Sequence, residues 1–537
     1  MDLRMREPGA NLDAGILAAI VVYFVAMLLL GMWFLKRTRN QGMREYFLGG
    51  RKNNPYVTAM SAQASDMSGW LLMGLPGAIV VAGMGEVWIG IGLAIGSYLC
   101  WLFVAKRLRK HSVVSGNSIT MSEFFSNRYH DDKGYLRIIS AVIILFFFTI
   151  YVASGFKSSG VVLSLSIDMG LELAIIVGAV ITILYTLMGG YTAVCWADFF
   201  QAILMVVCVV VVPLVAIFDM GGFGAVATAW DNIDIEGFTS LFYSGGEPIA
   251  FIAVISSLAW GLGYFGMPHI VVRYMSIRDP EEVKVARRIS LLWIVIALSA
   301  VALVALVGRA YFLQQGIVPG EDFDKEYIFL ELSKSLFVPG LSFACGIMFA
   351  AILAAIMSTV DSQLLVATSS ITNDIMAKSK KRQFSDKTMS WMSRAVVVLI
   401  SIVALVLALY GGKNIMDLVS YAWSGFGSAF GPVMILSLFW KRMNLQGAIA
   451  SMITGFAVVI FWETFMGFTG LYSLLPGFCL SMIVALVVAL LTPPPSEKVQ
   501  EEFDLAQTYV EPPVVAVDQT LEVLGDHLVA LAHDNVE

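Results

Sequence analysis

The stretch ASDMSGWLLMGLPG, residues 64–77, sets a carboxylate, two serines, three glycines and a proline inside an otherwise apolar run. A continuous helix in lipid satisfies every backbone group internally, so breaks persist there only where protein, water or an ion supplies the missing partners. Ser65, Asp66 and Ser68 compete for backbone hydrogen bonds, and Gly69 lowers helix propensity. One reading is a kink at a packing seam of small residues. The other is a binding site, favoured by Asp66, because an unpaired carboxylate at mid-bilayer is costly.

The whole chain places this stretch in a membrane. Of its 537 residues, 58% are hydrophobic and 14% charged, more apolar side chain than a soluble core can enclose. A crossing helix needs about 20 residues. Apolar runs near 16–35, 55–82, 85–105, 137–164, 171–190, 194–218, 249–272, 289–312, 340–368, 393–410, 415–439, 446–465 and 474–492 predict thirteen spans in an all-alpha polytopic protein. Lys and Arg gather after odd-numbered spans, as in KRTRNQGMREYFLGGRK (36–52), KRLRK (106–110), RDPEEVKVARR (278–288), KSKKRQFSDK (378–387) and KR (441–442). The connection 219–247 instead carries five acids and no Lys or Arg, and 313–327 is mainly acidic. The positive-inside rule then sets the N-terminus outside and the C-terminus in the cytoplasm. The first run follows acids and lacks a prompt small-residue cleavage site, so it is expected to be a retained span. Residues 1–492 form the expected membrane domain. Residues 493–537, with ten acids against one Lys after 495, form an expected flexible cytoplasmic tail containing a short helical pattern at 517–534.

Enzyme signatures are missing from the sequence. The five histidines make no HExxH pattern, the five cysteines no CxxC pair, and no glycine-rich loop ends in GK[ST]. Neither a transition-metal site nor ATP-driven chemistry is indicated, and the charge clusters describe topology, not a nucleic-acid partner.

Two further polar stretches interrupt the spans. In FAAILAAIMSTVDSQLLVATSS (349–370), Ala355, Ser358 and Thr359 stand at i, i+3 and i+4 and share a helix face. Their oxygens suit a hard cation such as Na⁺; hydroxyls bonding back to their own helix are the alternative. In SSLAWGLGYFGMPHIVVRY (256–274), Trp260, Tyr264 and Pro268 would face one side if the helix were continuous, which Gly261, Gly263 and Gly266 make doubtful. Aromatic rings beside a relaxed backbone suit a small organic solute, or equally an aromatic core. Tyr151 adds a phenol in FFFTIYVASGFKSSG (146–160). Asp361 and Asp374 are candidate gating groups. Interruptions in spans 2 and 7 are five helices apart, as expected for two inverted five-helix repeats, spans 2–6 and 7–11.

At FLGGRKNNPYVTAMSAQASDMSGWLLMGLPGAI (47–79), RIISAVIILFFFTIYVASG (137–155), ILYTLMGGYTAVCWADFFQA (183–202), WGLGYFGMPHIVVRY (260–274) and AAIMSTVDSQLL (354–365), the chain resembles the sodium/solute symporter family, and within it the bacterial proline carriers. The resemblance implies a ten-helix core at about 55–439, with one span before it and two after, in a bacterial inner membrane. It implies Na⁺ at the Ala64 and Met67 carbonyls, the Ala355 carbonyl and the Ser358 and Thr359 hydroxyls. L-Proline would be recognised by Ser68, Gly69, Trp70, Tyr151, Trp260, Tyr264 and Pro268. Arg51, Asp66, Asp198 and Asp361 match or adjoin coupling and gating positions. Asp361 departs from the family pattern by adding a carboxylate just past the sodium hydroxyls, and Gln63 stands where glycine is expected. The implied activity is sodium-coupled L-proline symport in a lipid bilayer, with no obligatory protein partner and no cofactor beyond the coupling ion. A carrier of another amino acid, pantothenate or a sugar, proton coupling, and a membrane solute sensor are the alternatives.

Overall fold

A computed structural model describes residues 13–38, 43–187, 190–338, 340–372 and 386–511; Asp374 and the pattern at 517–534 lie outside them. Among the described residues, ten helices are long and apolar enough to cross a bilayer, and two further helix pairs qualify together but are bent at a short break. The elements used below are α1 (Ala14–Thr38), α2 (Pro55–Asp66), α3 (Trp70–Ala82), α4 (Met84–Val114), α5 (Met121–Arg128) and α6 (Tyr135–Ile167). They continue with α7 (Leu171–Thr186), α8 (Tyr191–Asp219), α9 (Phe251–Phe265), α10 (Pro268–Ser276), α11 (Pro280–Gln314) and α12 (Ile328–Phe337). The remainder are α13 (Ser342–Thr372), α14 (Asp386–Tyr410), α15 (Ile415–Phe439), α16 (Leu445–Phe465), α17 (Leu474–Leu491) and α18 (Glu497–Thr508). The 16-residue α7 is apolar but shorter than the ten.

Burial sorts the bundle into layers. The best apolar windows of α13 and α15 are 83% and 89% buried, so these two helices are central; α1 is 28% buried and α16 and α17 33%, so they are peripheral. Outward side chains such as Leu29, Trp33, Ile138, Ile203, Leu292, Ile402 and Ile483 are exposed and apolar, as a lipid-facing surface requires. A hairpin, Tyr243–Ser244 antiparallel to Glu247–Pro248, lies in the acidic connection. It is pinned to the end of α3, where Gly245 N donates to Ala82 O at 2.8 Å.

The two bent pairs are the feature that positions the site. Asn54 starts α2, its side chain accepting from Val57 N at 2.9 Å, with Pro55 in the first turn. The helix stops at Met67 (φ −86°, ψ 77°), and α3 restarts in a π-turn at Trp70, bent by 59°. Gly69 is needed at this restart because a Cβ there would lie 2.8 Å from Ser158 Cβ on α6. In the second pair, Trp260–Phe265 tightens to a 3₁₀ turn, Met267 is extended, and Pro268 opens α10 at 47° to α9. Four apolar helices, α4, α6, α7 and α8, separate the pairs in sequence, and α2 packs directly on α10.

Candidate functional site

The α2 break creates a free acceptor. In an unbroken helix the Ser68 amide would donate to the Ala64 carbonyl; here it donates to Asp66 O at 3.1 Å. The Ala64 carbonyl instead meets α13, accepting from Ser358 Oγ at 2.8 Å and Thr359 Oγ1 at 3.4 Å. The same hydroxyls reach the Ala355 carbonyl at 3.1 and 3.0 Å. Four buried oxygens from two helices therefore converge. Back-bonding and cation binding are thus two uses of one geometry: when the hydroxyl hydrogens turn away, all four oxygens offer lone pairs to a hard cation. Met67 lies at the end of the same helix, buried, where the backbone departs from it.

Asp66 lies one step along the break and joins the two broken pairs. Tyr264 of α9 donates its hydroxyl to Asp66 Oδ2, and Trp70 Nε1 donates to the Asp66 carbonyl at 3.0 Å. Asp66 Oδ1, Ser68 Oγ and the Tyr151 hydroxyl are buried without a hydrogen-bond partner, although Tyr151 lies beside Ser68 and Trp70. Clustered orphan groups are expected where a polar ligand completes the set. The Trp260 ring stacks on Tyr472 at 4.9 Å and its carbonyl accepts from Trp423 Nε1 at 2.8 Å; Tyr264 meets the Trp423 ring edge-on at 5.3 Å.

The structure does not continue the expected Trp260, Tyr264, Pro268 face. The 3₁₀ turn and the break interrupt the helical spacing before Pro268, which lines a small cavity with Phe47, Ile119, Tyr191, Val272 and Leu365. Arg51 and Asp198 are likewise apart in their bonding. Arg51 bonds Ser112 Oγ (2.8 Å) and the carbonyls of Ser118 (2.7 Å) and Met275 (3.1 Å). Asp198 on α8 pairs with Arg273 on α10 at 3.2 Å and accepts from Ser61 Oγ on α2 at 2.6 Å. Asp361 accepts from Thr186 Oγ1 on α7.

Arg273, which the sequence reading did not select, is the hub of this second network. Wholly buried, it also binds Ser362 Oγ on α13, Ser61 Oγ at 3.2 Å and the His269 carbonyl at 2.6 Å. One guanidinium thus ties α2, α8, α10 and α13 together. Its partner His269 is also buried, packed by Phe148 and Tyr151 at 5.5 and 6.3 Å; neither ring nitrogen forms a hydrogen bond, with the Ser65 carbonyl nearby. The signal for both was present as H-I-V-V-R, two ionisable residues at i and i+4. It was lost because 272 looked like the end of the span.

A membrane bundle whose two discontinuous helices meet around unsatisfied polar groups has the architecture of a secondary carrier, not of a catalyst. The chain belongs to the sodium:solute symporter family, whose model matches residues 46–455. It is 45% identical over 480 residues to the high-affinity proline transporter PutP of Bacillus subtilis, covering 89% of this chain and 98% of that one. It is 42% identical over 494 residues to the sodium/proline symporter of Escherichia coli, covering 92% and 96%. The fold matches that of a Na⁺-coupled sialic acid symporter in a substrate-bound outward-open state, with a TM-score of 0.76 at 20% identity over 90% of this chain and 99% of that one. A nucleobase-cation-symport-1 family transporter in a closed conformation gives a TM-score of 0.51 at 15% identity, over 86% and 98%.

Proposed function

We propose that the protein is a sodium-coupled L-proline symporter of a bacterial inner membrane, working by alternating access. The observation that carries the ion is the convergence of the Ala64 and Ala355 carbonyls with the Ser358 and Thr359 hydroxyls across the α2 break. With the Met67 carbonyl, these form the sodium site. Ser68, Gly69, Trp70, Tyr151, Trp260, Tyr264 and Pro268 form the proline site. The names of the two relatives at 45% and 42% identity support the choice of solute and ion.

The coupling follows from shared parts. Na⁺ draws α2 onto α13, fixing the backbone of residues 64–67. That same backbone presents Ser68 to Trp70, and Asp66 holds Tyr264 of the second broken pair, so each ligand lowers the ordering cost of the other. Asp66 tunes the join without ligating the ion, while Arg51, Asp198 and Asp361 govern the inward-facing end. A sodium ion crossing the full field gains about 2.3 kcal/mol per 100 mV. The membrane domain comprises residues 1–492 with thirteen spans: α7 and each bent pair count as one, the N-terminus is outside, and spans 2–11 form two inverted repeats. Residues 493–537 extend into the cytoplasm.

Uptake of radiolabelled L-proline into proteoliposomes tests this. An inward sodium gradient should drive accumulation that a proton gradient alone does not. Equal uptake without sodium would refute the coupling ion, and no proline uptake or competition would refute the solute.

A further inference from the structure

The start of the C-terminal extension is built onto the Lys/Arg-rich end of the bundle. Helix α18 buries Val499, Phe503 and Ala506, spaced i, i+4 and i+7 on one face. Phe503 lies under the buried Arg128 guanidinium, 5.1 Å away, and against the His111 ring at 5.3 Å. Arg128 also donates to the Val499 carbonyl at 3.1 Å. Polar latches surround this apolar seam: His130 with Glu502 at 2.9 Å, Lys441 with Asp504 at 2.5 Å, and Arg107 with Gln507 at 3.1 Å.

The last described residue reaches furthest. Glu511 pairs at 2.9 Å with Arg109, whose side chain is wholly buried. Arg109 in turn holds the Ile277 carbonyl at 2.7 Å and the Arg278 carbonyl at 3.2 Å, the segment leaving α10. That segment is bonded to the entry of α2: Arg278 N donates to Asn53 O at 3.0 Å, and Asn53 Nδ2 to Ser276 Oγ at 3.2 Å. Arg51 closes the same seam through Met275, Ser112 and Ser118. A continuous chain of bonds thus runs from the tail to the ends of both broken pairs.

We propose that residues 497–511 form a clamp that holds the cytoplasmic route shut, its ionic latches adding to the cost of parting residues 51–53 from residues 275–278. A buried guanidinium deprived of its carboxylate is destabilised. Arg109 therefore keeps Glu511 in place, and Glu511 steadies Arg109 on the α10 exit. The Lys441–Asp504 latch is exposed and is weakened by salt. Inward opening should therefore be easier at high cytoplasmic ionic strength. The inference rests on the alternating-access reading but not on the identity of the solute.

The test places a reporter, Ile119→Cys, in the wall of the small cavity beside Pro268 and Tyr191. Its labelling by a membrane-impermeant maleimide is followed in inside-out vesicles holding the full chain, with the parent protein as background. At low salt, Glu511→Gln combined with Asp504→Asn should raise the labelling rate at least about three- to fivefold, the upper size expected from losing the exposed Lys441–Asp504 pair alone. High salt should raise the rate of the unaltered tail part of the way, through the exposed Lys441–Asp504 pair, since the pair on the buried Arg109 is screened less. Lys441→Asp alone should also raise labelling, and Lys441→Asp with Asp504→Lys should return it to the starting rate. Unchanged labelling in the Glu511→Gln, Asp504→Asn protein would overturn the clamp, as would failure of the charge swap to restore the Lys441→Asp defect. Labelling needs no solute, so latch-dependent labelling in a protein that moves no proline would leave the clamp standing and refute the solute alone.

Discussion

At the scale of single residues, the decisive object is one carbonyl. The Ala64 oxygen loses its helical donor at the break, and hydroxyls three and four residues beyond Ala355 take that donor's place. Ser358→Ala and Thr359→Ala each remove an oxygen that no neighbour replaces. Each should raise the sodium concentration giving half-maximal proline uptake roughly tenfold, equivalent to about 1.4 kcal/mol, with a smaller effect on the proline KM at saturating sodium. Sodium titration of initial uptake rates measures both, and equal shifts in the two constants would show that the hydroxyls do not discriminate ion from solute. The i, i+3, i+4 spacing of these residues was readable because α13 is a regular helix, where spacing maps onto a face. The same logic does not extend to Pro268, as the glycines of this stretch had signalled, because the 3₁₀ turn and the extended Met267 lie between it and Trp260. Sequence spacing carries facial information only as far as the helix is continuous. The Asp198–Arg273 pair was half legible: Asp198 was marked by the family resemblance, but its partner lies 75 residues away, just past the apolar run ending at 272, and sequence spacing does not join the two.

At the scale of elements, the restart of α3 depends on close approach to α6. Gly69→Ala would place a Cβ 2.8 Å from Ser158 Cβ, and backbone cannot yield there without moving Ser68 and Trp70. Gly69→Ala should therefore reduce proline affinity about tenfold or more, and Ser158→Gly in the same protein should recover much of it. A double-mutant cycle on proline KM reads the coupling; additive effects would mean that the two helices do not meet here in the working carrier. At the other end of the bundle, Glu326 precedes α12 and accepts from the Met416 amide at 3.3 Å and the Ile415 amide at 3.5 Å, at the N-terminus of α15. Burial is the main cause that lifts the Glu326 carboxyl above the usual range, ahead of the opposing Met416 amide. A raised folded-state pKa means that the folded protein binds the proton more tightly. The group's contribution is then fully present below the ordinary glutamate range and is lost as pH rises through the raised value. Glu326→Gln should accordingly be more thermostable relative to wild type near pH 8 than near pH 4, as read by thermal unfolding in detergent. A difference independent of pH would show that ionisation of Glu326 is not coupled to folding.

At the scale of the whole molecule, hydropathy located the apolar runs, but their lengths differ in the folded protein because a span can be short, as in α7, or broken, as in α2–α3 and α9–α10. The breaks were legible as polar and glycine-rich interruptions. Their angles, and which residues faced one another across them, were not, since these depend on contacts between segments some 200 residues apart, such as Tyr264 with Asp66. Sidedness is set by a different physical quantity, the distribution of Lys and Arg among connections. In the folded protein the basic residues Arg51, Arg107, Arg109 and Lys441 lie at one end of the bundle, linked through Ser112, Ile277, Gln507 and Asp504. The acidic connection with Asp231, Asp234 and Glu247 packs on the end of α3. If the basic end is cytoplasmic, Asp234→Cys should be modified by an impermeant maleimide in intact cells, whereas Lys284→Cys should react only after permeabilisation. Both positions are exposed, so reagent access and not burial decides the outcome. The reverse pattern would invert the proposed topology and direct the inward sodium gradient against the end now read as the release side. Reaction of both in intact cells would mean that an odd number of the assigned crossings between 234 and 284 is false, which tests whether α9 and α10 together make one span.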